Sequence, residues 1–279
     1  MKKIALILSF VLLGSCTTKM GYNFMDLGLR WYVKSYVSLN KHQKDRVWEK
    51  IDQFHDWHRN TQLSHYADYI DKTKRYINNN EITGKWVHAQ TDELQLMLDE
   101  SLGYLLPTIT SSLSDMDDQQ TQQLLSNIAK DIEEYKEKSI FDEEKKTYKK
   151  RQKELRKSLS HLLGKLNDEQ TQWLEEWSRE LIPFEELSYA QQRNWLKQFE
   201  TALQQRHSDP NFAATVKSLL VVDSDQWDPE LDKIMDKNQE ITYELIARIF
   251  NNLDERQKNK MDDKLSGYIK DFRELAGIH

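Results

Sequence analysis

The chain has 279 residues, with 40 Lys and Arg against 46 Asp and Glu, for a formal net charge of -6. Eight Gly and four Pro supply too few tight turns for a barrel, a sandwich or a glycine-rich phosphate loop. A chain this long builds a sizeable core, but with 38% hydrophobic residues its apolar stripes must be narrow. The expected fold is all-α: an elongated multi-helix array of about ten to twelve antiparallel helices, with no sheet.

The N-terminus reads as an address. Lys2 and Lys3 precede an apolar run from Ile4 to Leu13. That run falls short of the roughly 20 residues a membrane-spanning helix needs, and suits the apolar centre of a signal peptide. Leu13-Gly14-Ser15-Cys16 then resembles the lipobox of bacterial lipoproteins, in which the cysteine is acylated and becomes the first mature residue. Cys16 is the only cysteine, so no disulfide competes for it. An ordinary secretory signal with a chance cysteine is the competing reading. The expected organisation is a signal peptide over 1–15, a lipidated tether over 16–21 and one helical domain over 22–279, with two lobes as an alternative. By resemblance to lipoprotein sorting, Thr17 rather than Asp after the cysteine implies the outer membrane, with the body facing the periplasm. Several acyl chains on Cys16 would make the membrane a stable partner.

Downstream, one signature recurs: an apolar residue, a cap residue, two others, then Gln. It occurs at Leu39 to Gln43, Met116 to Gln120, Leu166 to Gln170, Leu187 to Gln191 and Leu253 to Gln257. Asn, Asp or Ser followed three residues later by Gln is a capping box, in which each side chain satisfies an amide at the other's position. Their spacing is irregular, so no fixed-period solenoid is expected, and independent caps are preferred over copies of one duplicated unit. Helices are predicted over 24–38, 41–60, 64–79, 84–104, 106–113, 118–139, 142–164, 168–181, 189–206, 211–221, 228–250 and 255–275. Breaks are predicted at Asn78 to Asn80, Thr61 to Ser64, Pro107, Pro183, Ser208 to Pro210 and Asp228-Pro229. The best strand candidate, Leu219 to Val222, reads as a buried helix end. Phe141, Tyr148, Leu155 and Leu162 recur every seven residues, a pairing seam that suggests one long rod through Ser139-Ile140.

A family resemblance rests on Tyr22-Asn23-Phe24-Met25-Asp26, Trp31, Tyr36, Leu39 to Gln43 and Trp57-His58-Arg59. Leu166 to Gln170, Trp177, Trp195 and Tyr268 to Leu275 extend it over nearly the whole chain after the signal. In these residues the chain resembles the Gram-negative lipoproteins grouped as domain of unknown function 6279. Two positions depart from that pattern, Ser64 and Lys34. The resemblance implies a compartment, and no reaction or cofactor.

Candidate chemistry is sparse. Asp52, His55, His58 and His65 fall near one stripe of a continuous helix, where imidazoles and a carboxylate would suit zinc. The break expected near Thr61 to Ser64 would rotate His65 away, leaving His58 and Arg59 to form hydrogen bonds or ion pairs at a turn. Adjacent glutamates such as Glu175-Glu176 and Glu185-Glu186 diverge by about 100° on a helix and read as solvated faces. The stretch holding Lys145, Lys146, Lys149, Lys150, Arg151, Lys153, Arg156 and Lys157 is a basic island in an acidic protein. It would meet lipid head groups, lipopolysaccharide or another anionic polymer, or else be a solvated face paired with acidic neighbours. The acidic balance argues against nucleic acid. The eight tryptophans read as helix-packing anchors, with Trp31, Tyr32 and Tyr36 as candidates for the membrane interface. The leading expectation is a lipid-anchored binding or scaffold protein of the cell envelope. An envelope hydrolase centred on the histidines and a helical carrier or chaperone are the alternatives.

Overall fold

A computed structural model of the chain describes residues 15–140, 143–221 and 227–278. The signal peptide reading therefore lies outside the described residues for all but Ser15, as do Phe141 of the heptad seam and Val222. Among the described residues the protein is all-helical with no strand, its helices packed on one another. In order they are α1 (Ser15–Asn23), α2 (Met25–Tyr36), α3 (Lys41–Trp57), α4 (Leu63–Asn79), α5 (Gly84–Ser114) and α6 (Asp118–Ser139). They continue as α7 (Glu144–Leu163), α8 (Asp168–Glu180), α9 (Glu185–Gln204), α10 (Phe212–Leu220), α11 (Pro229–Asn251) and α12 (Glu255–Leu275).

Four of the five capping boxes form as read. Asn40, Asp117, Asn167 and Asp254 each accept from the backbone N–H of the Gln three residues on, and each Gln side chain returns the bond. The structure adds a long-range partner to each. Gln43 Nε2 donates to Gln120 Oε1 at 3.0 Å, and Gln120 Nε2 donates to Gln43 Oε1 at 2.7 Å. Gln43 also donates to the Asp115 carbonyl and Gln120 to the Ser38 carbonyl, each at 2.9 Å. The same construction joins Gln170 and Gln257, at 3.0 and 2.7 Å, with further bonds to the carbonyls of Asn252 and Lys165. In every case the carbonyl lies two residues before the partner's cap, so each clasp is self-complementary. Both Gln170 and Gln257 are fully buried.

Each clasp sits over its own apolar cluster. Around the first pack Val37, Leu39, Val47, Ile51, Leu113, Met116, Leu203 and Val216. Around the second pack Leu155, Leu159, Leu163, Leu166, Trp173, Leu174, Ile249 and Met261. A third cluster, with Tyr22, Leu63, Tyr66, Tyr268 and Phe272, joins α1, α4 and α12.

Several expectations need correction. The fifth box does not cap a helix: α9 begins at Glu185, one turn before Ser188, whose N–H already donates to the Phe184 carbonyl at 2.8 Å. Gln191 instead accepts from the Asp228 N–H at 3.3 Å. Pro107 does not end a helix. It is exposed inside α5, where the residue one turn earlier is Gly103, and Ile109 and Leu113 beyond it pack on the first cluster. No break divides α3 from α4, because His58–Gln62 forms a π-turn in which the Leu63 N–H reaches the His58 carbonyl. No single rod runs from α6 into α7: Ile140 is extended, α6 packs on α9, and α7 packs on α8. The segment 16–21, expected as the lipidated tether, lies within α1, and Thr18 is buried where that helix meets α12.

Candidate functional site

The basic island lies on α7, and the helix sorts its charges by period. Arg151, Leu155, Leu159 and Leu163 recur every fourth residue on the buried face. The Arg151 guanidinium forks onto Glu185 at 2.7 and 3.0 Å and donates to the carbonyls of Ser178 and Leu181 at 3.4 and 3.2 Å. It also covers the Phe184 ring. Arg151 is thus a fully engaged core cation, tying α7 to the α8–α9 turn. Lys150 donates to Ser139 at 2.9 Å, and Lys146 pairs with Glu143 at 2.8 Å. Lys145, Lys149, Lys153, Arg156 and Lys157 are exposed, with no anionic partner among the described residues.

Of these, Lys149, Lys153, Arg156 and Lys157 share one open face of α7 with Gln152 and Ser160, at steps of three and four. Near the C-terminus of the same helix, the His161 imidazole shares a hydrogen bond with the Tyr268 hydroxyl at 3.1 Å. Burial lowers its pKa, and Lys264 and Lys260 of α12 lower it further. Lys260 and Lys264 of α12 thus lie close enough to α7 to act on His161. Exposed cations with no partner can bind anions, and their attraction weakens steeply with salt.

The histidine group behaves differently. His58, at 5% exposure, sits between the Tyr22 hydroxyl, 2.9 Å from Nδ1, and the Tyr66 hydroxyl, 3.2 Å from Nε2. Burial drives its pKa down to about 4, with His55 a smaller cause. A neutral imidazole accepts from one tyrosine and donates to the other, so both of its nitrogens are committed. His55 lies 5.0 Å from the Tyr22 ring and 3.9 Å from Asp26, its pKa lowered by burial and then by Arg59. Asp52 is bound to Arg30, and His65 is exposed. The four residues do not converge, and among the described residues no three His, Cys, Asp or Glu side chains could hold a metal ion together. What the π-turn does is present His58 toward α1. The result is a polar clamp on the N-terminal helix.

Cys16 stands in the first turn of α1. A cleft of about 690 Å³ escaped the sequence reading. It opens between α5, α8 and α11, where Arg248 lies 4.2 Å over the Trp173 ring and His88 stacks on Tyr243. Its one sequence signal was Gly84, where any Cβ would meet the Glu244 carboxylate.

Comparison with known proteins finds no match among the curated proteins and none among the solved structures. The sequence model of a family of unknown function, DUF6279, matches residues 35–232, a span that takes in the first clasp, the π-turn and the basic helix. That span is well over half of the chain, which therefore belongs to the DUF6279 family.

Proposed function

We propose that the chain is a lipid-anchored outer-membrane lipoprotein whose helical body, facing the periplasm, binds an anionic component of the envelope. The observation that carries the binding role is the outer face of α7, where five cations stand exposed, with no anionic partner among the described residues, in a protein of net charge -6. Removal of Lys2 and Lys3 with a signal peptide would leave the remainder more acidic still, and the contrast sharper. An acidic body also disfavours indiscriminate adhesion to anions, which leaves recognition to local cationic faces such as that of α7. Anchoring is supported by the apolar run and by Cys16 at the end of Leu13-Gly14-Ser15.

The test has two arms. Palmitate labelling and the intact mass of the mature protein should show acylation that Cys16→Ser abolishes. Binding of the purified protein to lipopolysaccharide should fall about tenfold or more when Lys149, Lys153, Arg156 and Lys157 are all changed to Gln, and should weaken with added salt. Unchanged binding by that variant would sink the role assigned to α7.

A further inference from the structure

Residues 15–36, forming α1 and α2, differ from the rest of the molecule in two respects. Their charge is inverted, with Lys19, Arg30 and Lys34 against Asp26 alone in a chain where acids outnumber bases. They also expose apolar surface. Met20, Phe24, Leu27 and Trp31 are 62, 54, 52 and 70% exposed, and Tyr32 beside them is 57% exposed. Those five are more than half of the large hydrophobic side chains exposed among the described residues. Phe24, Leu27 and Trp31, at steps of three and four, share one face at the start of α2, and Met20 is exposed on α1 just before the turn at Phe24. The opposite side is firmly held. Tyr22 is locked to His58, Leu29 and Val33 pack on the first cluster, and Asp26 faces Arg30 and His55. The stripe is therefore an uncovered apolar face, backed by the partly buried Leu29 and Val33, with its one carboxylate directed to Arg30 and His55.

We infer that this stripe lies in the interface of the same bilayer leaflet that holds the lipid on Cys16, so that the body rests on the membrane along α1–α2 instead of hanging from it. The inference rests on the anchored reading above. Position supports it, since Met20 is one turn, about 6 Å, along α1 from Cys16, and Trp31 is about 22 Å along. A lipid there leaves the stripe no room to stand far from the surface. Composition supports it too, because aromatic residues and cations together favour the headgroup boundary of a leaflet bearing anionic lipid.

The full chain would be expressed in cells with a diazirine amino acid at Leu27. A matched protein would carry it at Leu96, which is 66% exposed on α5 and outside the stripe. After irradiation, phospholipid adducts at position 27 should exceed those at position 96 about tenfold, and Phe24→Asp with Trp31→Asp should remove the excess. Because both side chains are largely exposed, helix content should not change. Adducts at position 27 to a second copy or to another protein would overturn the inference, as would lipid adducts no more abundant than at position 96. Intact mass separates the two readings. Acylated Cys16 without lipid adducts keeps the anchor and rejects the stripe, whereas lipid adducts on unacylated protein do the reverse.

Discussion

Replacing Gln257 with Glu separates helix capping from clasp formation. In a capping box the two residues are equivalent, because only an acceptor is needed at the third position. The Gln257 oxygen accepts from the Asp254 N–H at 3.2 Å and from Gln170 at 3.0 Å, and a carboxylate serves both. Its amide nitrogen, however, donates to the Lys165 carbonyl at 3.2 Å and to Gln170 Oε1 at 2.7 Å. There the substitution removes two donors and sets acceptor against acceptor at a fully buried site. Two lost bonds cost about 0.5–1.5 kcal/mol each, and desolvating the charge adds more, so the total is about 3 kcal/mol or above. The introduced carboxyl should be protonated more readily in the folded than in the unfolded protein, since the neutral acid can donate to Lys165. Its folded pKa is then raised above the unfolded value near 4.3, and stability falls as pH rises through that range. Urea unfolding followed by circular dichroism at pH 4.5 and pH 8 would read the difference. Gln191→Glu, at the sequence motif that caps nothing, should stay within about 0.5 kcal/mol. If Gln257→Glu were equally silent at pH 8, the glutamines would be caps and nothing more.

Further predictions concern other parts of the frame. Arg151→Ala should cost about 3 kcal/mol by emptying a buried cation site and leaving the part-buried Glu185 without its partner, whereas Lys153→Ala should be near neutral; paired denaturation curves decide. His58, with its pKa held down to about 4 by burial, binds fewer protons folded than unfolded. Stability should therefore be intact above pH 6.5 and fall by about 3 kcal/mol toward pH 4, a slope that His58→Gln should largely remove from unfolding free energies measured across that range. Pro107→Ala should raise stability by about 1–3 kcal/mol, since it restores a donor and relieves an exposed helix interior. A drop in melting temperature would show instead that the rest of the fold uses the proline.

What the sequence made legible was local. Asn40 and Gln43 announce a helix start because both hydrogen bonds of the box lie within four residues. Nothing local says that Gln43 also meets Gln120, since that contact depends on how distant helices pack. Ser188 carried the same pattern and failed because Arg151 draws Glu185 into place one turn earlier. The π-turn at His58–Gln62 has no local signature, so the stretch Thr61 to Ser64 reads from sequence as a break. On α7 the distinction between Arg151 and its neighbours was there to be found, in the fourfold step Arg151, Leu155, Leu159, Leu163. On α1–α2 the sequence offers Trp31 and Tyr32 for the membrane interface, but Met20, Phe24 and Leu27 have the spacing of any core-facing helix. Only the fold shows that nothing covers them.

The clasps also set the topology of the chain. Each closes a long loop without a covalent bond, one from Gln43 to Gln120 and the other from Gln170 to Gln257, and the loops follow one another without nesting. The loops nonetheless share their cores: α5, within the first, packs on α11, within the second, and Leu203 and Val216 of the second loop lie in the first cluster. The stretch between them, including the α6–α7 junction, belongs to neither loop. A cut there would leave both loops closed, whereas a cut within a loop would leave its two strands of chain joined through one pair of glutamines and the core beneath.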